Sequence, residues 1–471
     1  MFTAAVVVVT LLFAAADAGA LPLPSWKGAV PSTKVNKSAG LRVVPGVTHH
    51  LVYNATAPGG GRNPQGTYNH GPMMVAHDGL FYMSWYNAPQ GENTYKRSVF
   101  ATSGDGGDTW SAPVTLFPNF TLNGEENGPW TLLGDRNDGT EGRKRLYTQS
   151  GTIDAGLHRE GIQSVMRRVG PGATLGPVFW LNETVPEEFK HLNFPTYLEM
   201  DPVTRRDAMQ LLASLVRTTV KYPDVQDIQM MPDNIHMMTT EAADIQDRHH
   251  QKPHHHHHHS GKMIYNERSL YKVPGTRQVV NLLRGGSPKT LSAAVCTVPS
   301  HPSLPAITPD PTLFSCRAGV GDAFMNLVEL LELPASANNS TKPLYEPRVC
   351  QFTDPVHVSI PDSHSRTCAS VLPGGGADGK SDAIYLVGNQ IESGRDPVTL
   401  AIARDGLHFD DHWAVNFDAP PVLYPGEAKC VGFQYPGAMI WEGVFYVTYS
   451  IGKEDIGFSR FPVASVMASK P

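Results

Sequence analysis

Histidine, tyrosine and arginine recur in this chain where a strand begins or a polar run breaks an apolar one. Together those three side chains can move a proton beside a carboxylate. His70 directly precedes the apolar run Pro72 to Ala76, and His49 and His50 stand upstream of it. An imidazole with its ordinary pKa near 6.5 is able to act as neutral base or as acid near neutrality. Tyr147, in Arg145-Leu146-Tyr147-Thr148-Gln149, supplies a phenol that could serve either way. Arg167, Arg268 and Arg366 carry planar forks that bind a carboxylate through two parallel hydrogen bonds. Arg168 follows Arg167 on a strand and therefore faces the other way. Asn389 closes the apolar run from Ile384 and adds an amide that could touch a hydroxyl.

The elements that would hold these groups are short strands. Thr67 to Ser111 reads as one blade of a β-propeller. Pro72 to Ala76 begins it, and His77-Asp78-Gly79 is a hairpin turn because Gly accepts positive φ and Asp bonds its own backbone. Leu80 to Trp85 and Ser98 to Thr102 continue it. Ser103-Gly104-Asp105-Gly106-Gly107-Asp108-Thr109-Trp110 then matches S-x-D-x-G-x-T-W at every defined position. In that Asp-box the carboxylate accepts backbone N–H bonds, Gly107 takes the positive φ, and Trp110 plugs the turn. Such a turn marks the fold and carries no chemistry, since it faces away from an active site.

Composition narrows the class. A formal charge of −6 over 471 residues, 17% of them charged, excludes a nucleic-acid binder by charge and a disordered chain by composition. Gly 44 and Pro 39 provide the turns of a short-stranded all-β fold. With roughly 40–60 residues per blade, the chain suits a single β-propeller of six to eight blades, seven being preferred. Met1 to Ala20 reads as a cleavable signal peptide, with an apolar Ala4 to Ala16 and a small-x-small site at Ala16-Asp17-Ala18 or Ala18-Gly19-Ala20. No later stretch is long and apolar enough to span a membrane. Sequons begin at Asn36, Asn54, Asn119, Asn182, Asn338 and Asn339, which agrees with secretion. The five cysteines form no CxxC motif, so one or two disulfides with an unpaired thiol are expected, Cys296 with Cys316 by proximity.

The expected organisation is a signal peptide over 1–20, a lead-in over 21–47 that closes the ring against the last blade, and a propeller over 48–471. Glu187 to Arg217 has helical spacing, with Asp201 or Thr204 as cap. A second short helix is expected over Asp322 to Leu331, and 234–261 holds a low-complexity loop with His254 to His259. Arg404-Asp405-Gly406-Leu407-His408-Phe409 is a degenerate Asp-box with Phe409 in place of Trp.

Asn69-His70-Gly71-Pro72, the DG turn, Phe81-Tyr82-Met83-Ser84-Trp85 and the Asp-box together resemble the opening of the propeller-fold polysaccharide lyases. These include ulvan lyases and, closer in pattern, the fungal L-rhamnose-α-1,4-D-glucuronate lyases. Propeller rhamnosidases acting on rhamnosyl-glucuronate are a sister group. The runs around Asp362-Ser363-His364-Ser365-Arg366, Leu386 to Asn389 and Gln434-Tyr435-Pro436 extend the likeness over most of residues 48–460. The resemblance implies β-elimination at a uronate in a secreted protein. His70 would be the base, His50 or His49 the second histidine, and Tyr147 the family's tyrosine, although its spacing to Arg167 departs from the pattern. Arg167 and Arg268 would clamp the carboxylate, and Arg366 and Asn389 would touch the sugar. No cofactor is required, a structural calcium is open, and a monomer acting on a uronate-containing polysaccharide is expected. The competing readings are a glycoside hydrolase on the same linkage and a non-catalytic glycan-binding propeller. A true sialidase lacks support at this level, since no F/Y-R-I-P motif occurs.

Overall fold

The computed structural model describes residues 21–55, 66–91, 97–117, 121–122, 125–126, 130–137, 144–154, 159–180, 185, 190, 192–201, 204–205, 266–284, 289–297, 327–332, 345–350, 352–353, 355–363 and 365–467. Their main elements are five antiparallel sheets, taken here in chain order. The first comprises Tyr68–His77, Leu80–Ala88, Arg97–Ser103 and Val114–Thr115. The second is built on Trp130–Asn137, Lys144–Asp154 and Arg159–Gly170, and the third on Asn266–Lys272, Gln278–Arg284, Thr290–Thr297 and Val356–Pro361. The fourth holds Cys368–Leu372, Ala383–Gly388, Val398–Ala403 and His408–Asn416, and the fifth Phe433–Trp441, Val444–Ile451 and Asp455–Pro462. They stand side by side in the spatial order second, first, fifth, fourth, third.

Face-to-face stacking explains why the middle strands are apolar on both sides. A strand's side chains alternate between faces. Phe81, Met83 and Trp85 therefore pack on Tyr446 and Phe458 of the fifth sheet. Tyr82 between them packs with Leu146, Val165 and Trp180 of the second. In the fourth sheet Tyr385 and Val387 meet Phe445 and Val447, whereas Ile384 and Leu386 meet Val280 and Leu282 of the third. Each strand thus feeds two cores, and both periods of the sequence are used.

The turns follow their residues. Asp78 and Gly79 have φ of 49° and 73°, the left-handed pair of a tight hairpin. In the Asp-box, Asp105 accepts from the Thr109 amide at 2.9 Å, Ser103 Oγ accepts from the Gly107 amide at 2.9 Å, and Trp110 Nε1 donates to Gly107 O at 3.1 Å. Gly107 has φ of 96°, and a Cβ there would lie 2.7 Å from the Phe458 ring. Arg460 of the fifth sheet donates to Gly106 O and pairs with Asp108 at 2.7 Å, so the turn is also a joint between sheets. The degenerate box behaves likewise: Asp405 accepts from the Leu407 and His408 amides, Gly406 has φ of 81°, and Phe409 is buried.

Two expectations change. The lead-in does not close the last sheet. Ser25–Trp26 and Arg42–Val43 instead run parallel to His408–Asn416 at the edge of the fourth sheet. It is Thr48–Tyr53 that completes the fifth sheet, beside Asp455–Pro462. The cause is side-chain chemistry: Trp26 stacks on His412 at 3.7 Å, and Arg42 lies over Trp413 while pairing with buried Asp411. Second, the helix expected over Asp322 to Leu331 is replaced, within the described residues, by strand Leu327–Glu332. It pairs with Tyr345–Cys350, because a short apolar run takes whichever form finds a partner. The expected disulfide bonding and unpaired thiol are both seen: Cys296 and Cys368 are disulfide-bonded and Cys430 is an exposed free thiol, while Cys316 lies outside the described residues. The expected signal peptide and the His-rich stretch also lie outside them. Of the helix expected near Glu187 to Arg217, the start is seen: Asp201 Oδ1 accepts from the Thr204 amide at 3.0 Å, as an N-cap does. No helix among the described residues is long and apolar enough to cross a membrane.

Candidate functional site

Two bulges face each other where the first and fifth sheets meet. Pairing in the first sheet slips between His70 and Met73, with Gly71 at φ of 62°. A Cβ on Gly71 would come within 3.1 Å of the Tyr86 ring. Pairing in the fifth sheet slips between Gln434 and Gly437, and Tyr435 itself takes φ of 53°. A bulge re-aims the side chains beside it, and a non-glycine residue held in that region stores strain of about 1–3 kcal/mol. The result is contact: the His70 and Tyr435 rings lie 4.0 Å apart, centre to centre. Both belong to the beginning of an inner strand, at the end of the sheets opposite the Asp-box.

The tautomer of His70 follows from its neighbours. Ser450 Oγ donates to Gln434 O at 3.3 Å, so its oxygen is left to accept from His70 Nδ1–H at 2.9 Å. That assignment makes Nε2 the basic nitrogen. His70 is 2% exposed and Tyr435 is half-buried over it.

Three guanidinium groups gather at the same end. Arg284, at the end of the third sheet's second strand, donates from Nη1 to the Tyr435 hydroxyl at 3.1 Å. Arg395, in the loop after the fourth sheet's second strand, lies 5.6 Å from the Tyr435 ring centre. Arg366 is buried where the inner strand of the fourth sheet begins. Its Nη2 donates to Pro72 O at 3.5 Å, two residues from His70, and a Cβ on Gly437 would stand 3.2 Å from it. Ser365 Oγ accepts from the Tyr435 amide at 3.3 Å and ties the same segment to the bulge. A base, a phenol and three cations so placed can bind a sugar acid and move a proton on it.

Of the residues singled out from sequence, His70 and Arg366 come together here. His49 and His50 do not. They lie on Thr48–Tyr53, the outermost strand of the fifth sheet. His50 stacks on Phe458 at 5.0 Å and His49 Nδ1 pairs with Ser459 Oγ at 2.8 Å. Burial lowers the pKa of both. Tyr147 is fully buried on a middle strand of the second sheet. Arg167 is spent on the backbone: it donates to Leu116 O at 2.7 Å and from Nε to Gly176 O at 2.8 Å, joining the first and second sheets. Burial lowers its pKa as well. Arg268 lies on the inner strand of the third sheet, paired with Leu283. Asn389 is buried. Its Nδ2 donates to Arg395 O, Pro397 O and Phe433 O at 3.1, 2.9 and 3.1 Å, so it fastens the arginine loop to the strand that carries Tyr435.

Tyr435, Arg284, Arg395 and Ser450 are the members that sequence reasoning passed over. The Gln434-Tyr435-Pro436 run was the available signal, since a tyrosine beside proline at a strand start often marks a bulge or turn. Among the described residues no group of three or more His, Cys, Asp or Glu side chains is placed to hold a metal ion.

A family model described as "Beta-prop_BT_1020:-like, N-terminal beta propeller" matches residues 25–131. Among solved structures, one described as "Sialidase" aligns with a TM-score of 0.58 at 18% identity, over 94% of this chain and 35% of that one. The chain thus spans about a third of that structure's length. A Trypanosoma rangeli sialidase in complex with the inhibitor DANA aligns at 0.37 and 12% identity, over 89% of this chain and 60% of that one. A leech intramolecular trans-sialidase complexed with 2,7-anhydro-Neu5Ac aligns at 0.37 and 11%, over 88% and 70%. Scores below 0.5 leave those two without weight. No curated protein matches the chain. The fold is that of a sialidase-like β-propeller.

Proposed function

We propose that this chain is a secreted carbohydrate-active enzyme that cleaves a uronate-bearing glycan, such as a rhamnosyl-glucuronate linkage, by β-elimination. One observation supports this above the others: His70 lies against Tyr435, and Arg284, Arg366 and Arg395 gather around the pair. In the proposed reaction an arginine fork neutralises the sugar carboxylate, which acidifies the neighbouring C5 proton. His70 Nε2 removes that proton. The C4–O bond breaks as the C4=C5 double bond forms, and the Tyr435 hydroxyl protonates the departing oxygen. Tyr435 thereby takes the part that the family resemblance implied for Tyr147. No step calls for a cofactor. A closed seven-bladed ring and a monomeric state belong to the same reading.

A second reading keeps the glycan and changes the chemistry. Sialidases use a tyrosine nucleophile in hydrolysis, and a phenol accepting a bond from Arg284 favours this alternative. Gum arabic, ulvan and glucuronan incubated with the chain separate the two. Elimination gives an unsaturated product with new ultraviolet absorbance. Free rhamnose without absorbance selects hydrolysis. Glycan binding with neither product defeats both and leaves a binding propeller.

A further inference from the structure

We propose that Gln434 is the positioning residue that makes this site selective for an acidic sugar, by fixing the Arg395 guanidinium over Tyr435. The inference rests on the uronate reading above and deepens it. Gln434 is fully buried, directly before the strained Tyr435. Its Oε1 accepts from Arg395 Nη1 at 2.9 Å. Its Nε2 donates to Cys430 O at 2.6 Å and to Cys430 Sγ at 3.2 Å. The amide is therefore held at both ends, and neither end can turn over: a flipped amide would set its NH2 against the guanidinium. The backbone repeats the link. The Phe433 amide donates to Arg395 O at 2.8 Å, and Asn389 Nδ2 donates to both Arg395 O and Phe433 O. This close approach needs Gly432, whose φ is 132° and whose Cβ would lie 2.7 Å from Arg395 O.

A guanidinium on a loop loses much of its worth as an anion clamp if it must be ordered on each binding event. Held by a buried amide, it is ordered beforehand. Gln434 touches no sugar in this account. It acts through Arg395, and Cys430 reports on it because the same amide holds the thiol.

The test uses sodium D-glucuronate as the probe. Binding is measured by calorimetry on the full chain, on Gln434→Met, on Arg395→Met and on the double variant. Alkylation of Cys430 by iodoacetamide is followed by peptide mass spectrometry on the same samples. Gln434→Met and Arg395→Met should each weaken glucuronate binding about tenfold, and the double variant no further than the worse single one. Cys430 should react severalfold more slowly in Gln434→Met, which loses the donor to its sulfur, and at a changed rate also in Arg395→Met, which unloads the other end of the amide. Multiplying losses in the double variant, or Cys430 reactivity unchanged in both single variants, overturns the proposal. Should Gln434→Met not fold, Arg395→Met alone decides through the thiol. If the wild-type chain binds no glucuronate, the uronate reading fails, and Gln434 loses its role in selectivity with it; an altered alkylation rate would then leave only a structural clasp.

Discussion

A buried imidazole works as a base only when its tautomer is fixed. For His70 that condition is met by Ser450, and the Tyr435 ring lies against it at 4.0 Å between centres. His70→Gln keeps much of the volume and removes the basic nitrogen. It should lower turnover by about 10²–10⁴-fold while the thermal midpoint stays within a few degrees, read by absorbance assay and calorimetry side by side. Tyr435→Phe keeps the ring over His70 and deletes only the hydroxyl, so a comparable loss of turnover with unchanged folding is expected. His50→Ala should leave turnover intact, because the ring rests on Phe458 at the far edge of the sheet. The place of His70 at the start of an inner strand was legible. That of His50 was not, because sequence distance says nothing about which strand of a sheet a residue joins: a segment early in the chain supplies the outermost strand of the last sheet. Arg395 and Arg284 were hidden for a related reason. Their meeting depends on the ends of strands from different sheets, and no local pattern records it.

At the scale of an element, the Asp-box was almost wholly readable, since each of its bonds lies within the octet. Bonds from Thr109 and Ser103 hold the Asp105 carboxyl below the usual carboxylate range. The sign follows: with the folded pKa depressed, its contribution to stability is complete above the unfolded value near 3.9 and is lost as pH falls through the folded one. Exchange of the Thr109 amide should therefore quicken under acid only below that unfolded value, and Asp105→Asn should abolish this pH dependence. The joint with the fifth sheet was not readable. Gly107→Ala meets both a left-handed φ and the Phe458 ring at 2.7 Å, so it should destabilise by about 2–3 kcal/mol in denaturant unfolding, more than the loss of turn geometry alone. A loss under about 1 kcal/mol would mean that the two sheets can separate there without cost.

On the scale of the molecule, the N-terminal segment does two separable jobs. Apolar alternation made the sheets legible, because each middle strand had to feed two cores; the destination of residues 21–53 was not, because their partners lie some 400 residues away in sequence. Strands Ser25–Trp26 and Arg42–Val43 pad the edge of the fourth sheet, whereas Thr48–Tyr53 is the fourth strand of the fifth. Removing residues 1–47 takes away the Trp26–His412 stack and leaves buried Asp411, among the described residues, with Arg404 at 3.2 Å as its remaining ion-pair partner. That truncation should fold, with a midpoint several degrees lower. Removing residues 1–54 also strips the strand that covers Phe458 through His50 and borders Ser459 through His49. The fifth sheet then offers Asp455–Pro462 as an open edge, two strands away from the one that carries Tyr435, an arrangement prone to edge pairing. Size-exclusion chromatography and thermal unfolding of the two truncations should therefore differ in kind: a cooperative species of wild-type hydrodynamic size for the shorter deletion, aggregation for the longer. If both behave alike, the strand Thr48–Tyr53 is not what holds the last sheet in place, and the neighbouring sheets alone must fix the bulges that bring His70 and Tyr435 together.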